Sequence, residues 1–291
     1  VKTKEFQGSC ALTKMPGKYV KSHILPRALT KISRDGQKVI EAGIGLGRKT
    51  RPDTWYDDQL CTSTGEKILE RIDTRGIEEL RELNLVWSGW PINSKDLVST
   101  EWDVAPLENT EAWHRVLKLP DEAAIRLFFL SILWRASASS RHEFDEVKLL
   151  PDEEEDLRIR VLNENPGNFR DFPIHLFQLS TRGISHNRIP LIEEAEIPSN
   201  SNVKIQRARI YIDGLIAHIT LPRNEKLNDD FIKLSLGSGP ESIVFITPFE
   251  KSRAFNNIQE MVYTVEKERR TPPGKKNSIS LAIETIKSHS Y

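Results

Sequence analysis

Tyr19-Val20-Lys21-Ser22-His23-Ile24-Leu25-Pro26 alternates in polarity like a short strand and stops at a proline. The chain's two cysteines flank it. Cys10-Ala11-Leu12-Thr13 lies upstream, and Leu60-Cys61-Thr62-Ser63-Thr64 lies downstream. Just past the second cysteine, Ser63-Thr64-Gly65-Glu66 has the Ser-x-x-Glu form of a capping box, in which side chains satisfy the free N–H groups of a helix start. Ile68, Leu69 and Ile72 then recur at helical spacing, and a second helical pattern, Ile77, Leu80 and Leu83, runs to about Asn84. Between the histidine strand and this region the sequence predicts a short helix over Arg27–Ile32. A glycine-rich stretch, Ala42-Gly43-Ile44-Gly45-Leu46-Gly47, then leads into Arg48-Lys49-Thr50-Arg51.

Outward from this region the pattern changes. Trp87, Trp90 and Trp102 lie in an irregular stretch rich in Pro, Ser and Asn, expected to cover the join to the next unit. Glu122 to about Ser137 reads as a helix that is apolar nearly all round, which belongs in the centre of a domain. Pro151-Asp152-Glu153-Glu154-Glu155-Asp156 opens another helix, with proline and acids where a helix N-terminus favours them. The second half reads as mainly β: Phe172–Leu179, then Val203–Ile212 and Leu215–Leu221 around the turn dipeptide Asp213-Gly214, then Ser242–Ile246. Helices are expected near Ala254–Arg269 and Ile279–Ser288. The fold class is α+β: a small ββα module over 1–84, a helical region with connecting loops over 85–165, and an antiparallel β-containing region with terminal helices over 166–291.

Charge narrows the function classes. The 291 residues carry 42 Lys and Arg against 42 Asp and Glu, so the whole surface is not a nucleic-acid coat. Residues 1–52, however, hold twelve Lys or Arg against three acids (Glu5, Asp35, Glu41), a local +9 that the other 239 residues balance. Such asymmetry points to a nucleic-acid-facing end, or to a solvated basic face. Lys18, Lys21, Arg27, Arg48, Lys49 and Arg51 are the candidate backbone contacts. The longest apolar run, Leu127-Phe128-Phe129-Leu130, is far below the roughly 18–20 residues of a membrane span, so no membrane partner is expected. Two cysteines make no disulfide framework, and the opening residues show no apolar signal core; a reducing, cytoplasmic setting is expected.

The order Cys10-x-x-Thr13, Ser22-His23-Ile24-Leu25-Pro26, Cys61-x-x-Thr64 and a following helix resembles the HNH-endonuclease-like family with a Ser-His-Ile-x-Pro signature. The likeness covers residues 8–72, and more weakly about 120–180, where Ser131-Ile132-Leu133-Trp134-Arg135-Ala136 is similar to the helical region after the module. In that family two Cys-x-x-Cys knuckles hold a structural zinc, and the histidine is a general base facing a divalent metal at the scissile phosphate. Here Thr13 and Thr64 stand where the second cysteines would be, Ser22 replaces an acidic metal ligand, and Gly65 and Glu66 sit near the later Asn and His positions. The resemblance therefore implies a zinc-free module with an incomplete nuclease constellation. His23 is left with three readings: general base, relic histidine bonded within the fold or to a phosphate, or unrelated core histidine. No cofactor is expected, except Mg²⁺ or Mn²⁺ if the module cleaves.

Other candidates carry bland readings beside sharper ones. Gly43–Thr50 lacks Walker spacing and reads as a flexible basic loop. Ser185-His186-Asn187-Arg188 reads as a surface loop, although it could lend a His and an Asn to a distant site. Arg135, on an otherwise apolar helix, must pair with an acid or reach a pocket. Trp55, Tyr56, Trp87 and Trp90 could stack on bases, but tryptophans of this kind usually pack between units. Three functions follow: a protein that binds DNA or RNA with cleavage weak or absent, a non-catalytic interaction subunit with a protein partner, or a metal-dependent endonuclease. The family's company implies a phage-defence or mobile-element setting.

Overall fold

The structure, a computed structural model, describes residues 7–30, 40–42, 55–97, 104–106, 113–183, 186–197, 200–224 and 227–253, with 255–256 and 259. Arg48, Lys49, Arg51, Trp102, most of the glycine-rich stretch and nearly all of the expected C-terminal helices lie outside the described residues.

The amino-terminal region begins with a hairpin of β1 (Gln7–Ser9) and β2 (Pro16–Lys18). Two short strands, β3 (Ser22–His23) and β5 (Tyr56–Asp57), pair antiparallel. α1 (Arg27–Thr30) follows Pro26, and β4 (Ile40–Ala42) leaves the module to pair in parallel with β9 (His186–Arg188). The strand expected over Tyr19–Leu25 contracts to Ser22–His23, with Tyr19 bridging to Thr62 instead.

α2 (Ser63–Glu82) is one helix of twenty residues where the sequence suggested two patterns. Gly76 sits at the junction, and a Cβ there would lie 2.5 Å from that of Phe128, so the glycine marks a close helix crossing, not a break. The capping box is corrected. Thr62 is the N-cap and makes no side-chain cap, Ser63 is already helical, and Glu66 is drawn inward toward Ser22. The far end closes with Asn84 at φ +52° and Leu85 N–H bonded to Leu80 O at 2.9 Å, a left-handed C-terminal cap.

α3 (Glu122–Ala138) is capped by Asp121, whose carboxylate accepts from Ala124 N–H at 3.0 Å, and is buried on almost every side. It runs against α2 and α4 (Pro151–Leu162). The carboxyl half is built on a seven-stranded sheet in the order β10-β11-β12-β8-β13-β7-β6. Its strands are β6 (Val104–Pro106), β7 (Trp113–Leu117), β8 (Ile174–Leu179), β10 (Leu191–Ile197), β11 (Asn200–Ile212), β12 (Leu215–Thr220) and β13 (Ser242–Thr247). The short α5 (Asp229–Lys233) follows β12. The α+β class stands, but the sheet is mixed where an antiparallel one was expected: β13 runs parallel to β8 at its centre. Asp213 and Gly214, at φ +48° and +81°, form the foreseen two-residue turn between β11 and β12.

Alternation along the strands sends Ala208, Ile210, Ala217, Ile219, Ile174, Leu176 and Val244 to one face, all buried. These residues share a single connected cluster with Cys10, Leu12, Ile24 and Cys61 of the module and with Phe128, Phe129 and Ile132 of α3. Trp87 and Trp90 are buried with Leu179, Tyr211 and Phe249, so they pack between regions instead of stacking on bases. The Asp213 carbonyl accepts from Trp87 N–H at 2.9 Å, which fixes the hairpin turn under the indole. Among the described residues no helix is long and apolar enough to cross a membrane.

Candidate functional site

The turn after β1 is tight: Cys10 N–H bonds Met15 O, and Lys14 N–H bonds Cys10 O, both at 2.9 Å, with Lys14 at φ +58°. This turn is stitched to the segment before α2 by Ala11 N–H to Leu60 O at 2.9 Å and Val20 N–H to Cys61 O at 3.0 Å. The two cysteines, fifty-one positions apart, thus meet under the first turn of α2, both fully buried as free thiols. A Cβ placed on Gly65 would lie 2.6 Å from Cys10 Sγ and 3.4 Å from Cys61 Sγ. Only a glycine lets the helix start sit on the sulfur pair.

The pair shares a proton unequally. The hydrogen bond from Cys61 holds the Cys10 thiol far below its ordinary range, at about 4, against the effect of burial and with help from the Thr13 hydroxyl and the Thr13 and Thr62 backbones. The same bond pushes Cys61 upward, and burial and the neighbouring Cys10 charge add to it. Thr13 thus serves as a hydrogen-bond donor to the Cys10 sulfur. Thr64 does not mirror it: its side chain is exposed, and Gly65 is the residue facing the sulfurs. Two sulfurs, one hydroxyl and a glycine do not fit a tetrahedral zinc, which needs four N or S ligands. Among the described residues no three His, Cys, Asp or Glu side chains converge as metal ligands.

Beside the pair runs β3. Ser22 is buried and His23 half-buried, its ring edge-on to Tyr56 with centroids 6.3 Å apart. α2 turns Glu66 and Asp73, two turns apart on one helix face, toward this strand. Burial raises both carboxyls above the usual range, while Ser22 and Arg135 lower Glu66, and Arg135 and His23 lower Asp73. Arg135 on α3 is the pivot at 1% exposure. It grips Asp73 with two hydrogen bonds of 3.0 and 2.6 Å and donates to the His23 carbonyl at 2.9 Å and to Ser131 Oγ at 3.0 Å. The structural ion pair, not a pocket, is where this arginine goes. Asp73 was invisible in the sequence; only its place seven residues after Glu66 could have suggested it.

The described basic candidates Lys18, Lys21 and Arg27 are all exposed, and Lys21 Nζ lies 3.9 Å above the Tyr56 ring. Next to them Arg141 holds the Tyr56 carbonyl and Glu143, while Ser139 Oγ donates to Asp57 at 2.7 Å, so β5 is clamped to the end of α3. A cleft of about 140 Å³ opens beyond Glu143, with His142, Asp145 and Glu146 facing Arg188. It is smaller than the roughly 300 Å³ at which ligand pockets begin. His186 and Asn187 are strand residues of β9, not the loop expected there. Comparison with family models, with curated proteins and with solved structures returns no match.

Proposed function

We propose that this protein binds DNA or RNA through an HNH-like ββα module that has exchanged its structural zinc for packing, with cleavage weak or absent. The observation that carries the reading is the meeting of Cys10 and Cys61 under the start of α2, beside the histidine strand. Hairpin turn, histidine strand, second strand and helix occur in the order that the resemblance implies, and on this reading the two thiols would be what remains of two knuckles. Lys18, Lys21 and Arg27 line the exposed side of the same short region, and Arg48, Lys49 and Arg51 extend it in sequence. Phosphate contacts by these six side chains would position the nucleic acid without reading its bases.

Mobility-shift titration across salt tests this directly. If all six contact phosphates, log affinity should fall against log salt with a slope near −5, about 0.9 per contact. A protein that retards neither DNA nor RNA at low salt would instead leave the module as a docking surface for a protein partner.

A second reading has one observation in its favour. His23 shares its surroundings with the Asp73 carboxyl, the type of neighbour that orients a general base. Metal-dependent plasmid cleavage that His23→Ala abolishes, in a variant that still folds, would establish the endonuclease; unchanged cleavage in that variant would exclude His23 as the base.

A further inference from the structure

The thiol pair under α2 has a chemistry that nucleic-acid binding leaves unused. Cys10 and Cys61 are the chain's two cysteines, both are free, and a hydrogen bond joins their side chains. The backbones around them are laced together, Ala11 N–H to Leu60 O at 2.9 Å and Val20 N–H to Cys61 O at 3.0 Å. Hydrogen-bonded sulfurs on adjacent, cross-bonded segments are placed for a disulfide, which cannot form across widely separated backbones.

The two sulfurs are not equivalent. Cys10 is the acceptor: Cys61, the Thr13 hydroxyl and the Thr13 and Thr62 backbones hold its thiol at about 4, so it is a thiolate at neutral pH. Cys61 keeps its proton, because the same bond, burial, the Cys10 charge and the Glu66 carboxyl all push it upward. A thiolate beside a protonated thiol is the pairing of an attacking sulfur with its resolving partner. Burial is the counterweight. Both residues are 0% exposed, and a buried cysteine is inert where the thiolate is disfavoured and no reagent arrives. The hydrogen-bond donors remove the first obstacle. The second is a thin one: the hairpin over Cys10 is made of two three-residue strands, and Gln7, Ser9, Lys14, Met15 and Pro16 are exposed. Local opening of that hairpin, without global unfolding, uncovers the sulfur to a reagent scarcely larger than water.

We propose that Cys10 and Cys61 form a reversible disulfide in the folded protein when it meets hydrogen peroxide, with Cys10 as the attacking thiolate and Cys61 as the resolving thiol. The Cys10 sulfur takes one peroxide oxygen as the O–O bond breaks and becomes a sulfenic acid; the hydroxide released gains a proton from solvent and leaves as water. Cys61 then attacks the Cys10 sulfur and gives its proton to the departing hydroxyl, so a second water leaves as the S–S bond forms. The sulfurs lose two electrons, the peroxide gains them, and a dithiol such as dithiothreitol restores them. The bond closes a loop that contains the histidine strand and all six basic candidates, so oxidation supplies covalently the cross-link that zinc gives a metal-stapled finger. None of this chemistry depends on the module binding nucleic acid.

The test treats the reduced full chain with hydrogen peroxide and reads intact mass, non-reducing peptide maps and thermal melts. The chain should lose two hydrogens, yield a peptide joining Cys10 to Cys61, and melt at a higher temperature that dithiothreitol returns to its starting value. Cys61→Ser keeps a hydroxyl donor but cannot resolve, so sulfenic acid should accumulate on Cys10 and be captured by dimedone. Cys10→Ser should be labelled about tenfold more slowly, since Cys61 stays protonated. Circular dichroism checks that each variant is folded, and the peptide map of the unsubstituted chain decides the matter should either fail to fold. A folded chain that keeps both thiols overturns the proposal, as does linkage between copies, a lowered melting temperature, or equal labelling of the two variants.

Discussion

Replacing Gly65 with alanine tests the seating of the thiol pair. In an ordinary helix interior this change should stabilise by about 1 kcal/mol, because alanine loses less backbone freedom on folding. Here the new methyl would arrive 2.6 Å from Cys10 Sγ, well inside van der Waals contact, and 3.4 Å from both Cys61 Cβ and Cys61 Sγ. Neither sulfur can retreat easily: Cys10 is fixed by the bonds of its turn and Cys61 by the backbone bond to Val20. Overpacking of this kind costs about 1–3 kcal/mol, so the net effect should be a loss of up to about 2 kcal/mol.

The sign alone could mislead, and a double-mutant cycle removes the ambiguity. Cys10→Ala deletes the obstructing sulfur, and in that background Gly65→Ala should recover its helix gain of about 1 kcal/mol. The coupling between the two sites then equals the overpacking, about 1–3 kcal/mol. Urea-unfolding midpoints of the four proteins, at constant slope, measure it. Additive changes, within about 0.5 kcal/mol, would refute the claim that Gly65 is a glycine because the sulfurs lie beneath it.

Three further outcomes are expected. Arg135→Met should cost about 3–5 kcal/mol, since it strands the Asp73 carboxyl in a buried setting; Arg135→Met with Asp73→Leu should cost less than the single change, and a larger loss in the pair would contradict the ion-pair account. Burial outweighs Ser88, Arg81 and Arg182 and raises Asp213 from 3.8 to about 6, so the folded state holds more protons than the unfolded one between those values. Its stabilising effect is full below pH 3.8 and is lost as pH rises through 6. Asp213→Asn, which keeps an oxygen for the Ser88 N–H, should thus stabilise by up to about 3 kcal/mol above pH 6 and fade toward pH 4 in urea titrations; a flat difference across pH would count against it. Gly76→Ala should destabilise by up to about 2 kcal/mol, an overpacking cost of about 1–3 kcal/mol against Phe128 less a helix gain of about 1 kcal/mol; a stabilised variant in urea unfolding would contradict the close crossing.

What the sequence disclosed depends on the range of the forces involved. Helix positions were legible where the signal is local, in the long apolar run of α3 and in the proline and acids that open α4, and the Asp213-Gly214 turn announced itself because only a few residues adopt its positive φ angles. The capping box misled because its signal is also local: Glu66 is turned inward toward Ser22 and Arg135 and away from its own helix start. β6 went unseen as a three-residue edge strand, and β7 because it buries Arg115 and exposes Trp113 and Val116, against the apolar alternation that marks a half-buried strand. The parallel pairing of β13 with β8 joins segments more than sixty residues apart, and no short window contains it. In the candidate site, His23 and the cysteines were visible as residue types at suggestive spacing. Asp73 and Gly65 were not, since their roles exist only once α2 lies across β3.

A metal-stapled ββα finger is self-sufficient because the ion substitutes for a core that so few residues cannot build. The module here has the opposite economy. Its thiols are joined by a hydrogen bond in place of four metal bonds, so stability has to be drawn from what surrounds them. α2 supplies it on one side by packing against α3, with Gly76 seated on Phe128, and Arg135 supplies it on the other by tying the α2 carboxylate of Asp73 to the carbonyl of His23. The strand that carries the histidine is therefore held by a residue more than a hundred positions away. On the proposed reading this explains why both second cysteines could be lost together: once α3 fixes the histidine strand, the zinc is redundant for shape, and an isolated pair of thiols is what a redundant metal site leaves behind. The same coupling means that any surface the module presents to nucleic acid is set by the packing of α3, so substitutions in the helix core should alter binding without touching a basic residue.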